Sequence, residues 1–99
     1  MLYLVHVRLA PHPDGMSLPW DTAVAVTDAA PHRTRVLHAT AHPAALPDPV
    51  VGIYLESTAP ELAESAARVA WWAAVDSRPA LREWQLRSAS VALGPQPAE

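Results

Sequence analysis

The sequence contains no cysteine, no lysine and no phenylalanine. Without cysteine, disulfide bonds and thiolate chemistry are excluded. All seven basic residues are arginines scattered along the chain, and the formal net charge is -3. Proteins that bind nucleic acid usually concentrate positive charge on one face. The composition therefore argues against a nucleic-acid partner.

A long hydrophobic run is also missing. No stretch approaches the length of a membrane-spanning helix, and the N-terminus lacks the charged and then apolar order of a signal peptide. We therefore expect a cytoplasmic protein without a membrane partner. Its 99 residues predict one domain over residues 1–99. The chain contains three glycines and eleven prolines, and none of the glycines is part of a phosphate-binding loop motif.

The clearest pattern lies at residues 50–76, VVGIYLESTAPELAESAARVAWWAAVD. Its first six residues are β-branched, aliphatic or aromatic apart from one glycine, which predicts a buried strand. Thr58 and Glu61 then match a capping box, so we predict that a helix begins near Ala59. Pro60 is compatible with the first turn, although it could shift the start by one residue.

This helix carries an apolar stripe of mainly small side chains, which we expect to face a sheet. The stripe consists of Leu62, Ala66, Val69, Ala70 and Ala73. Glu64 and Arg68 lie on the other side as a favourably ordered pair one turn apart. Trp71 falls opposite Leu62, on the predicted exposed face. Two alternatives are open for this indole: it contacts a ligand or partner, or the proline-rich loop or the C-terminal tail of its own chain covers it.

Residues 1–10, MLYLVHVRLA, alternate in the manner of a strand. The predicted core face consists of Tyr3, Val5, Val7 and Leu9. The opposite face consists of Leu2, Leu4, His6 and Arg8. This second face begins apolar and ends polar, as expected where a strand lines a cleft or meets a partner subunit.

The remaining segments complete the predicted order of elements. Residues 11–19 form a proline-rich loop long enough to act as a flap, and residues 43–49 form a second loop. Residues 20–30 fit either a strand or a short helix, and the need for a crossover favours the helix. Residues 33–41 and 84–93 alternate as strands, and residues 94–99 should fray.

The order strand, helix, strand, strand, helix, strand is the split β-α-β pattern of ferredoxin-like α+β folds. Such a fold has a four-stranded antiparallel sheet with its helices on one face, and the other face is left bare. A largely apolar bare face is usually covered by self-association. We therefore expect a homodimer that forms through the open sheet face.

The opening MLYLVHVRL, followed by a loop of proline and histidine, resembles the N-terminus of muconolactone isomerase-like proteins of the dimeric α+β barrel superfamily. The later RPAL at residues 78–81 and the closing strand are similar in layout. The resemblance implies that two ferredoxin-like sheets pair into a barrel whose interior binds small cyclic compounds.

His6 and Arg8 share the open side of the first strand and are the predicted catalytic residues. His6 would transfer a proton next to a carbonyl group, and Arg8 would hold a carboxylate. The predicted ligand-binding residues are His38, Tyr54, Glu56 and Trp20. We expect a small-molecule ligand, a cyclic or aromatic acid, and a cofactor-free isomerase, cyclase or oxygenase.

The alternative is that these polar residues rim a dimer interface and satisfy one another. The protein would then be a non-catalytic assembly module that uses the same sheet face together with Trp71. A metal is not expected, because His38 and His42 on one strand lie roughly 13 Å apart and cannot share an ion. No cofactor is expected either.

Overall fold

The computed structural model describes residues 1–96 and confirms the predicted order of elements. The strands are β1 (Leu2–Leu9), β2 (Val36–His42), β3 (Val50–Glu56) and β4 (Leu86–Gln96). The helices are α1 (Thr22–Ala29) and α2 (Pro60–Ser77), and two short 3-10 helices span His32–Thr34 and Pro79–Glu83. The segment that fitted either a strand or a helix is therefore the helix α1.

The four strands form one antiparallel sheet in the order β2-β3-β1-β4. Helix α2 packs against β4, β1 and β3, whereas α1 packs against α2 and β2. This α+β architecture is consistent with a ferredoxin-like fold. Neither helix of residues 1–96 is both long enough and apolar enough to cross a membrane.

The alternation predicted for β1 is confirmed. Its core face is buried at every position, and the residues between are half-buried or exposed. Strand β3 contributes three further buried aliphatic side chains to the same face, Val51, Ile53 and Leu55. Because the side chains of a strand alternate with a period of two, each face of the sheet has a separate composition.

Helix α2 is where the sequence prediction was wrong. The helix buries Ala63, Ala67, Ala70, Trp71, Ala74 and Val75. Leu62, the predicted centre of the buried stripe, is 56% exposed, whereas Trp71 is 0% exposed. Because small residues lie all round this helix, its periodicity left the buried side ambiguous. Alanines let the backbone approach the sheet, and the Trp71 indole fills the space beside them.

Burial of Trp71 also corrects the role expected for it at an interface. A side chain with no exposed surface cannot contact a ligand or a partner, and Trp71 belongs to the hydrophobic core of its own chain. Its indole Nε1 has no hydrogen-bond partner within residues 1–96. Trp72, the next residue, is 50% exposed instead.

The predicted capping box is not formed. Helix α2 begins at Pro60 with Ala59 as its N-cap, and no side chain caps it. Proline suits the first helical position because its missing N–H would lack an intrahelical partner there in any case. Glu61 still lies in the first turn, where its negative charge complements the helix dipole.

Side chains of α2 protect the outer edge of β4. The carboxylate of Glu64 accepts a hydrogen bond from the backbone N–H of Val91 at 2.9 Å, and Arg68 donates to the carbonyl of Ala89 at 3.4 Å. Glu64 and Arg68 thus bind the strand, and they are not among the ion pairs of residues 1–96. Covering an edge in this way blocks the addition of a foreign strand.

Strands β2 and β4 have boundaries that differ from their predictions. Strand β2 begins at Val36 and not at Arg33, because residues 32–34 form a 3-10 helix that ends at Arg35 in the left-handed region. Strand β4 continues to Gln96 and pairs there with Leu2, so the predicted fraying is wrong for residues 94–96. Residues 97–99 lie outside the described part of the chain.

Candidate functional site

The open face of the sheet brings together the two predicted catalytic residues. His6 pairs with Gly52 of β3 on one side and with Ser90 of β4 on the other. Arg8 lies two residues further along β1 and pairs with Ser88. Paired residues of antiparallel strands share one face of a sheet, so all of these residues face away from the helices.

Gly52 lets the neighbouring side chains converge at the middle of this face. A Cβ atom at this position would lie 2.8 Å from Thr40 Oγ1, 3.3 Å from Leu4 Cδ1 and 4.0 Å from His42 Nε2. The Thr40 hydroxyl and His42 Nε2 also lie 3.1 Å apart, within hydrogen-bond distance. The His42 imidazole therefore extends over β3 toward β1, which only a residue without a side chain permits.

His42 completes a cluster of basic groups, which we call the open-face cluster: His6, Arg8 and His42. Burial lowers the pKa of His6 below its ordinary value, and the positive charges of His42 and Arg8 lower it further. His6 is therefore neutral at pH 7 and able to accept a proton. In the sequence, His42 was considered only as a metal ligand together with His38.

His38 and Tyr54 lie beside each other on the same face. They are paired residues of β2 and β3, and their ring centroids are 6.0 Å apart with a tilt of 36°. Tyr54 is 36% exposed, so its ring remains available for contact. Leu4 and Leu93 pair next to Tyr54 and extend the apolar part of the face.

Glu56 is not brought to the open-face cluster. It pairs with Leu2, four residues from His6 along β1, which corresponds to roughly 13 Å. Its carboxylate lies 3.6 Å from the Arg35 guanidinium instead. Glu56 is therefore not the carboxylate partner of His6, and the three residues of the cluster are all basic.

Trp20 and the loop of residues 11–19 lie away from the cluster. Trp20 is 91% exposed and precedes α1, which packs against α2 on the helix-covered side. The loop is anchored by His12, which is buried against Trp84 with a ring separation of 5.2 Å. Leu18 is buried as well. The loop is therefore fastened at two points and does not resemble a free flap.

His12 also lies in a group that has the residue types of a metal site, together with Asp14 and Glu83. The Asp14 backbone N–H donates to His12 Nδ1 at 3.0 Å, and His12 Nε2 lies 3.3 Å from the Glu83 carboxylate. Nδ1 is thus engaged with the backbone, and Nε2 faces the Glu83 carboxylate.

Two cavities of the chain lie away from the open-face cluster. One of about 520 Å³ lies between α1 and the start of β2, and one of about 260 Å³ lies between the two proline-rich loops. Neither His6 nor Arg8 lines these cavities. The open-face cluster therefore lies on a surface that a single chain leaves uncovered.

The fold and the site together define an α+β protein whose antiparallel sheet presents a basic, partly apolar face. Comparisons with protein-family models, with curated proteins and with solved structures gave no match.

Proposed function

We propose that the protein is a homodimer of ferredoxin-like protomers that pair through their open sheet faces, and that the space between the faces binds a small cyclic carboxylic acid. The proposal combines the basic cluster with the apolar surface of Leu4, Tyr54 and Leu93. A ring would pack on the apolar part while its carboxylate meets the cluster. Pairing with a second sheet would supply the cover that one chain lacks.

The observation that carries the proposal is the uncompensated charge of Arg8. This arginine takes part in none of the four ion pairs within residues 1–96. Its other neighbours in the cluster, His6 and His42, are basic as well. A carboxylate ligand would supply the missing negative charge, and a guanidinium binds such a group with two parallel hydrogen bonds.

His6 is the group for proton transfer in this proposal. Its lowered pKa keeps the imidazole neutral beside Arg8, so it can remove a proton next to a carbonyl group of a ligand that Arg8 holds. His38 and Tyr54 form the wall of the site, whereas Glu56 and Trp20 have no part in it. The reactions that fit are cofactor-free isomerisation, cyclisation or oxygenation.

A second candidate is a non-catalytic assembly module that uses the same face. The observation that favours it is the apolar surface itself, because Leu93 is 49% exposed next to the half-exposed Tyr54. Such a face can be filled by partner side chains and leave no space for a ligand. Trp71 has no part in this alternative, since it is buried in its own protomer.

The ligand proposal is tested by thermal denaturation with benzoate, cyclohexanecarboxylate and the uncharged benzyl alcohol. A ligand of the folded state raises the melting temperature by mass action. We expect the two acids to stabilise the wild type and the control Arg33→Ala, and not Arg8→Ala. Arg33 is a suitable control because it is exposed and lies in the 3-10 helix outside the face. Equal responses of all three proteins would refute a role for Arg8.

The dimer is tested separately by light scattering of the unliganded protein. We expect a dimer that Leu93→Glu dissociates, because the new charge would be buried between the sheets. Leu62→Glu is the matched control, since Leu62 is 56% exposed on α2. A dimer without a response to any acid would favour the assembly module, and a monomeric wild type would refute the homodimer.

A further inference from the structure

A second site lies at the edge of the sheet, outside the open face. Its cavity of about 520 Å³ is bounded by the end of α1, the first 3-10 helix and the start of β2. Its charged and polar lining residues include Asp28, His32, Arg35 and Glu56, and Val36 and Leu37 form an apolar part of the wall. This volume is typical of cavities that hold small molecules, and the lining combines an apolar wall with charged groups of both signs.

Arg35 adopts an unfavourable backbone conformation at this cavity. Its φ of 55° is the only positive value at a non-glycine residue within residues 1–96. The backbone is held on both sides, because the Arg35 N–H donates to the His32 carbonyl at 3.0 Å and its own carbonyl accepts from Glu56 at 3.2 Å. Glycine would adopt this conformation without strain. An arginine here indicates that its side chain has a purpose.

The Arg35 side chain remains available for a ligand. It is 65% exposed, and its contact with the Glu56 carboxylate at 3.6 Å is longer than a hydrogen bond. A guanidinium has five N–H donors in a planar arrangement, so several donors remain for a second anion. The guanidinium thus lies at the cavity as an anchor for a carboxylate.

Asp28 is the second locally unfavourable residue at the same cavity. It lies in the last turn of α1, where the helix dipole is negative and no basic side chain compensates it. Among residues 1–96, Asp28 takes part in none of the ion pairs. An ammonium group would be attracted both by its carboxylate and by the helix end. Violations of local preference that converge on one place are typical of functional sites.

We propose that this cavity binds a zwitterionic amino acid with an apolar side chain. The carboxylate of the ligand binds Arg35, its ammonium group binds Asp28, and its side chain packs on Val36 and Leu37. Arg35 keeps its contact with Glu56 in the free protein and offers its remaining donors to the ligand carboxylate, while Asp28 binds the ammonium group; a ligand with one charge makes only one of these two contacts. The site is independent of the open face and of the function proposed for it.

The test is an NMR titration of the ¹⁵N-labelled protein with L-leucine and two analogues of similar shape. 4-Methylpentanoate lacks the ammonium group, and 3-methylbutylamine lacks the carboxylate. We expect leucine to shift the amide signals of residues 27–37, and each analogue to bind at least tenfold more weakly. No shift with leucine, or equal binding of all three compounds, would overturn the proposal. Shifts confined to β1 and abolished by Arg8→Ala would overturn it as well.

Arg35→Gly separates a binding role from a structural one. Because glycine relieves the strain at this φ, we expect the melting temperature to be retained or raised while leucine binding falls at least tenfold. Asp28→Asn should weaken binding to a similar extent, and Asp76→Asn, a change at an exposed acid on α2, should not. If Arg35→Gly lowers the melting temperature and leaves leucine binding unchanged, Arg35 is a structural residue and the proposal fails.

Discussion

The two faces of the sheet are built from alternate residues of the same strands and have opposite properties. On β1, Val5 and Val7 are each 0% exposed on the helix-covered face. Between and beside them, His6 is half-buried and Arg8 is exposed on the open face. The covered face is apolar and closely packed, whereas the open face carries the basic cluster, whose Arg8 takes part in no ion pair within residues 1–96.

This difference separates what stabilises the protein from what is free to bind. Removing apolar surface from water supplies most of the favourable free energy of folding, and that burial lies on the covered face. Polar groups on the open face remain in contact with water, so their replacement has a small cost. Substitutions on the covered face should therefore change stability, and substitutions on the open face should change binding.

The largest effect is expected from Trp71 on the covered face. Trp71→Ala removes a fully buried indole and should lower the free energy of unfolding by about 4 kcal/mol. Trp72→Ala is the matched control, because the Trp72 side chain is 50% exposed. Its loss should lower the free energy of unfolding by less than about 1 kcal/mol. Urea denaturation followed by circular dichroism measures both. Equal losses for the two variants would contradict the burial of Trp71.

A smaller effect is expected at the end of β4. Gly94 has a φ of 125°, and a Cβ atom there would lie 2.7 Å from the carbonyl oxygen of Leu2. Gly94→Ala should therefore cost about 3 kcal/mol, since strain and a backbone clash combine. Gly15 also has a positive φ, of 72°, but no atom lies within 4 Å of a Cβ placed there. Gly15→Ala should therefore lower the free energy of unfolding by only about 1 kcal/mol. If both variants were equally stable, the pairing of β4 with Leu2 would be wrong.

The contact between Glu64 and the edge of β4 should contribute less to the free energy of unfolding than Trp71 or Gly94. Glu64→Ala removes the acceptor of the Val91 N–H and should cost about 1 kcal/mol. Glu64→Gln keeps an acceptor oxygen and should cost about half as much. The Val91 amide should also exchange its hydrogen faster in Glu64→Ala, which NMR hydrogen exchange measures. An unchanged exchange rate would show that Glu64 does not protect this edge.

The smallest effect on stability is expected on the open face, from the protonation of His6. Its pKa in the folded protein lies below the ordinary value of 6.5, because of burial first and then His42 and Arg8. Between the two pKa values the unfolded chain binds more protons than the folded one. The stability that neutral His6 contributes is therefore fully present above pH 6.5, and it is lost as the pH falls through the pKa that His6 has in the folded protein.

His42→Gln tests the electrostatic part of this effect. Removing the positive charge of His42 should raise the pKa of His6 toward its ordinary value, while burial still holds it lower. An NMR titration of the His6 ring protons measures the pKa, and His32→Gln, at a histidine of the 3-10 helix, is the control. A pKa of His6 that stays the same in His42→Gln would place His42 away from the cluster.

Sequence reasoning was most reliable where a pattern has a short period. The alternation of β1 predicted which of its residues are buried, because a strand's geometry leaves only two faces. It also placed His6 and Arg8 side by side. It failed for α2, where alanine on every side made two orientations equally compatible with the sequence. The correct orientation depends on where the sheet has room for the Trp71 indole.

The sequence by itself determined the order of the elements, the antiparallel sheet and the faces of its central strands, because these follow from local periodicity and chain order. Only the tertiary structure decided which side of α2 is buried, that His42 reaches over Gly52 to join His6 and Arg8, and that Glu56 meets Arg35 instead. Those outcomes depend on strand register and on contacts between residues far apart in the chain. Local preference carries no information about such contacts, and it even disfavoured the conformation of Arg35.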